Sequence, residues 1–267
     1  MTIHFDDSGD AMPTERIKVF WQPGCTSCLR TKEFLARQGV DFESINVHGD
    51  EAAMAELRSL GARSVPVVAR GGRFVYAQTL QDVVRFLDLQ IRLAERLPPQ
   101  SLVEKLDVVL SAAVRYVRQL PEARLALPFR NRNRPIRVLA HHVFRIPEAF
   151  LEVVPAGPLD YDRIMKEPGA DLCTGEDIAC YGDSVRVRFL QWWRGYPDKE
   201  CATEMETYFG RHSLHEVLER TVWHPAQHVR QLLLILEELG IEPDGPITMR
   251  DLSGLPLPEK AWDGEAS

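Results

Sequence analysis

Cys25 and Cys28 are separated by Thr26 and Ser27, and this spacing suits thiol–disulfide chemistry. A short apolar segment precedes Cys25, and a predicted helix begins at it. Because a helix N-terminus offers unpaired backbone N–H groups and the positive end of the dipole, we expect Cys25 to favour the thiolate. Cys28, one turn further on, can attack a mixed disulfide formed at Cys25. We therefore predict that Cys25 is the catalytic nucleophile and Cys28 its resolving partner; the alternative is one half of a zinc site.

Three histidines form a second group with chemical potential. His224 and His228 lie one turn apart on the apolar stripe of a predicted helix, residues 213–239. His142 lies on the apolar stripe of another predicted helix, residues 136–154. Neutral imidazoles inside a bundle need partners for their nitrogens, and three protein ligands with one open position are typical of a catalytic metal site. Three unrelated, hydrogen-bonded core histidines are the alternative, and His141 is an alternative to His142.

The metal that would suit these ligands is a divalent ion. We expect zinc first, with nickel or iron as alternatives, because imidazole nitrogen suits all three ions.

The elements that position the cysteines form a compact α/β unit. Apolar segments bounded by turn residues predict strands, and the intervening periodic segments predict helices, in the order β-α-β-α-β-β-α. The predicted strands are residues 17–21, 41–47, 65–68 and 73–76, and the predicted helices are residues 25–38, 51–60 and 79–89.

The elements that position the histidines are predicted to be four helices, so the second domain is expected to be an all-α four-helix bundle. Ser101 is expected to cap the first of them. The helices are predicted at residues 101–120, 136–154, 176–194 and 213–239. Between the first two lies a basic loop, residues 121–135, with Arg124, Arg130, Arg132 and Arg134, which either binds an anionic substrate or thiol carboxylate or is simply solvated.

Composition supports two domains in 267 residues. We predict a flexible tail at residues 1–15, an α/β domain at 16–91, a linker at 92–100, the bundle at 101–241, and a C-terminal tail at 242–267 that is either a surface strap or disordered. A net charge of −7 argues against nucleic acid as a partner, and no apolar run reaches the ~20 residues of a membrane helix.

The remaining cysteines and the N-terminal sequence bear on the compartment. Five cysteines with one close pair do not form a secreted disulfide framework, and residues 1–15 lack a signal-peptide pattern. We expect a cytoplasmic protein, with Cys173, Cys180 and Cys201 as small buried hydrophobic residues. The oligomeric state is left open.

Residues 18–89 resemble the glutaredoxin family, which has the thioredoxin fold. The resemblance rests on the Cys-Thr-Ser-Cys motif after the first strand and on Ser64-Val65-Pro66 before the third. It implies that Cys25 is the nucleophile, that Pro66 is cis, and that the backbone of Val65 pairs with a bound thiol peptide.

The sequence departs from the glutaredoxin pattern at the positions that hold glutathione. The family's lysine is replaced by Gln22, and its Gly-Gly and acidic residue are replaced by Tyr76-Ala77 and Thr79. The resemblance therefore implies glutathione or a similar low-molecular-weight thiol as partner, and leaves open whether glutathione itself binds.

Residues 101–241 resemble the DinB-like four-helix bundles. The resemblance rests on residues 139–143 (LAHHV) and 223–232 (WHPAQHVRQL). It implies that His142, His224 and His228 bind zinc or a similar ion, and that the bundle is related to thiol-dependent isomerases and thiol transferases.

Two functions are consistent with this sequence. In the first, a thiol–disulfide oxidoreductase domain is coupled to a metal-dependent thiol transferase or isomerase, which acts on a small electrophile or disulfide with a low-molecular-weight thiol. In the alternative, only the cysteines turn over, and the bundle is a non-catalytic metal-binding module with a sensor or structural role.

Overall fold

The computed structural model describes residues 15–154 and 157–263. Apart from Glu15, the predicted flexible tail lies outside the described residues, and so do the last four residues of the C-terminal tail.

The N-terminal unit has the predicted thioredoxin-like α/β fold. Its four strands are ordered β2-β1-β3-β4, with β1 parallel to β2 and antiparallel to β3. The elements are β1 (Lys18–Trp21), α1 (Thr26–Arg37), β2 (Glu43–Asn46), α2 (Glu51–Ser59), β3 (Val67–Arg70), β4 (Arg73–Tyr76) and α3 (Leu80–Leu87). Helices cover both faces of the sheet, because Val19 packs with Phe34 of α1 while the next residue, Phe20, packs with Leu57 of α2.

The second unit is the predicted four-helix bundle, formed by α4 (Pro99–Gln119), α6 (Ile136–Val153), α8 (Gly175–Gly195) and α9 (Leu214–Glu238). Both α4 and α6 pack against α8 and α9, and the four helices share one apolar core. The connections contain α5 (Glu122–Leu125), β5 (Pro128–Phe129), β6 (Arg132–Pro135), α7 (Tyr161–Met165), β7 (Glu204–Thr207) and β8 (Gly210–Ser213).

The first bundle helix begins earlier than the sequence predicts. Ser101 does not cap it, because α4 starts at Pro99, with Pro98 as an N-cap that makes no side-chain hydrogen bond. Proline is well suited to the first helical position, where its missing N–H would have no intrahelical partner. The basic loop also differs from prediction, since β5 and β6 pair within it as an antiparallel hairpin.

Helix α9 is buried on nearly all sides because it serves both domains. Ser213 and Glu216 form a capping box at its N-terminus. One face of α9 packs in the bundle, while α1 of the N-terminal unit also contacts the helix. The cysteine-bearing and histidine-bearing helices are therefore neighbours.

The C-terminal residues 256–263, here called the strap, cross from the bundle to the N-terminal unit. Gln227 on α9 donates a hydrogen bond to the Lys260 carbonyl, 2.8 Å away. On the other side, the Glu33 carboxylate of α1 accepts from the backbone N–H groups of Glu259 and Lys260. Of the two alternatives predicted for the C-terminal tail, the described residues up to Asp263 therefore follow the surface strap.

No helix in the described part of the chain is long and apolar enough to cross a membrane.

Candidate active site

The cysteine pair lies at the start of α1, as the sequence predicts. Cys25 is the N-cap residue, and its Sγ accepts a hydrogen bond from the Cys28 backbone N–H at 3.3 Å. The two sulfurs are joined in a disulfide. Cys28 is fully buried, whereas Cys25 is partly exposed, so Cys25 is the sulfur that an incoming thiol or disulfide reaches first.

The loop before β3 lies beside the disulfide. The peptide bond between Val65 and Pro66 is cis, and Val65 lines the same cavity as Cys25. The Val65 carbonyl is 3.5 Å from the side-chain amide of Gln78. The role of Val65 and Pro66 in thiol binding stays a prediction.

The three predicted histidines converge inside the bundle. One ring nitrogen from each of His142, His224 and His228 lies within 4.8 Å of the other two. Nδ1 of His224 and Nε2 of His228 are buried and have no hydrogen-bond partner among the described residues. The Nδ1 atom of His228 lies 2.7 Å from Oε1 of Gln231. That contact makes Nδ1 the protonated nitrogen and leaves the Nε2 lone pair free to bind a metal.

Burial keeps these histidines neutral. Desolvation is the largest cause that lowers the pKa of His142, His224 and His228 well below the usual histidine value. Neighbouring positive charges act in the same direction, with Arg134 next in importance for His228. Neutral imidazoles with orphaned nitrogens are the form in which histidine binds a divalent ion, so the residues fit a metal.

His141 has a different environment from its neighbour in the sequence. Its ring stacks on Tyr181 with 5.2 Å between centroids, and it is not part of the convergent group. The structure therefore brings His142, rather than His141, to the metal-ligand cluster.

The disulfide and the histidines line one cavity between the two domains. The cavity has a volume of about 50 Å³, and its walls include Cys25 and Val65 from the N-terminal unit and all three clustered histidines from the bundle. Two centres that the sequence places in separate domains thus line the same cavity.

Two of the three arginines in the basic hairpin reach this cavity. Arg132 and Arg134 line it, and Arg132 donates a 2.7 Å hydrogen bond from Nη1 to the Pro23 carbonyl of the N-terminal unit. Arg130 instead pairs with Glu238 at the surface. Among the three hairpin arginines, the simple solvated-loop interpretation therefore holds for Arg130 only.

Two further cavity residues, Gln78 and Arg220, were not predicted. Arg220 donates to Oε1 of Gln78 at 3.0 Å, and Ser27 donates to the same oxygen at 3.1 Å. A signal for Arg220 exists, because it precedes His224 by the same four residues that separate His224 from His228 and so lies on the same helix face. No sequence pattern around Gln78 predicts its role, because its hydrogen-bond partners come from both domains.

The prediction for the other cysteines is wrong at two of three positions. Cys201 is buried, but Cys173 and Cys180 are exposed. Each of the exposed thiols lies close to an oxygen acceptor, the Ala170 carbonyl for Cys173 and the Glu176 carboxylate for Cys180.

Comparison with known proteins identifies the N-terminal unit. Residues 17–75 match the glutaredoxin family model. A glutaredoxin-like 8.6 kDa protein of the rubredoxin operon of Clostridium pasteurianum is 32% identical over 73 residues, which make up 27% of this chain and 97% of that protein. The chain belongs to the glutaredoxin family. Among other glutaredoxin relatives, the glutaredoxin-like protein NrdH of Escherichia coli K12 is 39% identical over 56 residues, 21% of this chain and 69% of NrdH.

The bundle has a more distant structural neighbour. YfiT of Bacillus subtilis, described as a probable metal-dependent hydrolase with an unusual four-helix bundle topology, aligns with a TM-score of 0.46 and 16% identity over 57% of this chain and 95% of its own. Because this similarity is low, we argue the chemistry of the bundle only from the residues of this chain.

Proposed function

We propose that this glutaredoxin is a two-centre thiol enzyme. Its cysteine pair exchanges disulfides of a small thiol, and its histidine cluster holds a divalent metal at which the same thiol reacts with a small electrophile. The observation that carries the proposal is the single cavity lined by Cys25 and by His142, His224 and His228. The shared cavity would let a thiol released at one centre react at the other without entering bulk solvent.

The redox half of the proposal uses Cys25 and Cys28 as the dithiol. The Cys25 thiolate attacks a disulfide RSSR, forms the mixed disulfide Cys25–SR and releases one RS⁻. The Cys28 thiolate then attacks Sγ of Cys25, which forms the intramolecular disulfide and releases the second RS⁻. Two electrons pass from the cysteines to RSSR, and an external dithiol reductant restores the starting state.

The second half of the proposal depends on the histidine cluster. A divalent metal bound there would supply Lewis acidity and would lower the pKa of a coordinated thiol. The chain's own contribution is to hold three neutral imidazoles in one place, with Gln231 fixing the orientation of His228. The thiol would add to a small electrophile as RS–H across an activated double bond, or would displace a leaving group X⁻ from R′X to give the thioether RSR′, with the thiol proton and X⁻ released to solvent.

The test is a comparison of zinc-loaded and metal-free full chain. With 3-mercaptopropionate as thiol and maleate or 1-chloro-2,4-dinitrobenzene as electrophile, we expect adduct formation at least ~10-fold faster with zinc, since a positioned catalytic group contributes about 10²–10⁴-fold in favourable cases. The His224→Ala/His228→Ala variant should lose this rate and keep reduction of 3,3′-dithiodipropionate by dithiothreitol.

The alternative function predicts a different result. If metal-free chain reduces the disulfide at the full rate and the zinc-loaded chain consumes neither electrophile, the bundle is a non-catalytic metal-binding module attached to a disulfide oxidoreductase.

A further inference from the structure

The cavity between the two domains carries an unbalanced positive charge. Three guanidinium groups line it, those of Arg132, Arg134 and Arg220. Among the described residues that form its walls there is no aspartate or glutamate. A divalent metal on three neutral histidines would add two more positive charges. A cavity with this charge balance favours an anionic occupant.

Two of the three arginines are already committed to partners in the chain. Arg132 donates to the Pro23 carbonyl, and Arg220 donates to Gln78 and to the Tyr208 hydroxyl. Nη2 of Arg134, in contrast, is buried and has no hydrogen-bond acceptor among the described residues. A buried guanidinium N–H without an acceptor is costly, because it loses water and gains nothing in return.

The buried strap carboxylate, that of Asp263, does not fill this role. Asp263 is buried, and one of its oxygens lies 3.9 Å from Nζ of Lys32 on α1. Asp263 is also absent from the cavity wall that Arg134 helps to form. The acceptor that Arg134 lacks is therefore expected to arrive with a ligand.

Arg134 is well placed to orient such a ligand toward the histidines. It lies on β6, which runs directly into α6, the helix that bears His142. Its side chain and the rings of His142, His224 and His228 line the same cavity, so a ligand held by the guanidinium would lie beside the histidine cluster.

We infer that Arg134, assisted by Arg132, is a carboxylate subsite that selects thiols carrying a carboxylate a few bonds from the sulfur. The inference rests on the proposed function and names its substrate class. A carboxylate can accept two N–H groups from a guanidinium, which fixes the ligand's orientation as well as its charge. The cavity is small, with a volume of about 50 Å³, and this size suits a short mercaptocarboxylic acid better than a whole tripeptide thiol.

The experiment measures dissociation constants by calorimetry on reduced, zinc-loaded full chain under anaerobic conditions. The probes are 3-mercaptopropionate, its uncharged analogue 3-mercaptopropan-1-ol, and propionate. We expect the acid thiol to bind at least ~10-fold more tightly than the alcohol thiol, which is the range of a hydrogen bond to a charged group. Arg134→Met should reduce that preference to less than threefold and leave the affinity for the alcohol unchanged.

Arg130→Met is the matched control, because Arg130 belongs to the same hairpin but pairs with Glu238 at the surface. It should keep the full preference. Zinc content and circular dichroism verify that each variant is folded; if Arg134→Met is not, Arg134→Lys takes its place and must lower the preference at least threefold. Equal binding of the two thiols by the unmodified chain, or an undiminished preference in the Arg134 variant, overturns the subsite.

The propionate arm separates this inference from the proposed function. If both thiols bind equally well, the subsite is wrong and thiol binding at the metal stands. If propionate binds in an Arg134-dependent way and the thiol group adds no affinity, the subsite stands and the thiol function fails.

Discussion

At the scale of single residues, Gln231 determines how His228 faces the cavity. Its Oε1 lies 2.7 Å from Nδ1 of His228, and its Nε2 donates to the Ala261 carbonyl of the strap at 3.2 Å. The glutamine amide is thus held by the strap in the orientation that accepts from the imidazole. Such a contact fixes the tautomer and raises the basicity of the free nitrogen.

Replacing Gln231 should therefore weaken metal binding without removing a ligand. We expect Gln231→Leu to lower zinc affinity by about 10–100-fold, the usual cost of losing a hydrogen bond to a metal-binding histidine. Competition with a chromophoric chelator measures the affinity. Gln227→Leu is the control, because Gln227 is also buried on α9 and donates to the Ala261 carbonyl but, among the described residues, makes no side-chain hydrogen bond to a histidine. Equal losses of zinc affinity in both variants would mean that the contact with the strap, and not the contact with His228, supports metal binding.

His212 links the domains through charge. It is 3% exposed, and its ring nitrogens lie 3.4 Å from carboxylate oxygens of Asp82 on α3 and of Glu216 on α9. Burial opposes its protonation, but the close carboxylates of Glu216 and Asp82 outweigh burial and raise the pKa of His212. The interaction with His212 is in turn the largest cause that lowers the pKa of Glu216 to about 2.

This arrangement predicts a pH-dependent stability. Because the folded pKa of His212 is raised, its stabilising contribution is complete below the unfolded value of about 6.5 and is lost as pH rises through the folded pKa. Because the folded pKa of Glu216 is lowered, its contribution to stability is complete above the unfolded value of about 4.5 and is lost as pH falls through the folded pKa. His212→Asn should reduce the free energy of unfolding by about 2 kcal/mol at pH 6, the scale of hydrogen bonds to charged groups, and by less at pH 9.

Urea denaturation at the two pH values provides the measurement. His48→Asn, at an exposed histidine of the N-terminal unit, should change neither value. A deficit in His212→Asn that is the same or larger at pH 9 would contradict the assignment of His212 as a protonated link.

The chemistry-bearing residues could be predicted where a local pattern encodes them. Helical spacing placed His224 and His228 on one face, and the helix-start position identified Cys25. The partners of Gln78 and the unpaired Nη2 of Arg134 could not be predicted, because both arise from the docking of one domain on the other. The spacing of residues along the sequence does not show how the two domains pack together.

At the scale of elements, the strap holds the hairpin of the bundle against the cysteine loop. The Trp262 ring packs edge-on against Phe129 with 5.2 Å between centroids, and its Nε1 donates to Asn131 at 3.0 Å. The same ring closes over Gly24, the residue before Cys25. A Cβ atom at Gly24 would come within 2.7 Å of Cη2 of Trp262.

Gly24→Ala should consequently destabilise the chain more than backbone strain alone explains. Both Gly24 (φ +64°) and Gly39 (φ +66°) are left-handed, but a Cβ at Gly39 would meet nothing within 4 Å. We expect Gly39→Ala to cost about 1–2 kcal/mol, the penalty of a side chain in this region. Gly24→Ala should cost a further ~1–3 kcal/mol for overpacking against the strap.

Urea denaturation of the two variants gives the difference directly. In Gly24→Ala, alkylation of reduced Cys25 should also become faster, because the strap must move away from the cysteine loop. Equal free-energy losses in the two variants would show that Trp262 does not constrain this loop.

The long bundle helices were predicted closely, and the hairpins in their connections were missed. The ends of all four bundle helices lie within two residues of the predictions, because each helix repeats its apolar stripe over many turns. The β5–β6 and β7–β8 hairpins were not predicted, since their segments are mostly polar and lack the apolar runs that marked the strands of the N-terminal sheet.

At the scale of the whole molecule, the bundle covers the face of the glutaredoxin domain from which Cys25 is reached. Cys25 opens into a cavity of about 50 Å³ whose walls also include the histidine cluster and the arginines of the bundle. The bundle therefore forms part of the surface that a partner of Cys25 meets in this cavity. It also places any such partner beside the proposed metal site.

The most direct test of the shared cavity is the alkylation rate of Cys25 in the reduced Cys28→Ser chain. With excess iodoacetamide and peptide mass spectrometry, 3-mercaptopropionate should slow alkylation of Cys25 at least ~10-fold when zinc is bound, because ligand occupancy at ten times its dissociation constant leaves about a tenth of the sites free. The exposed Cys173 and Cys180 report any consumption of reagent by the thiol and should react at an unchanged rate. Protection should disappear without zinc and in the His224→Ala/His228→Ala variant. Protection that persists in both of those cases, or no protection in the zinc-loaded chain, would contradict the claim that the two centres act on one thiol in one cavity.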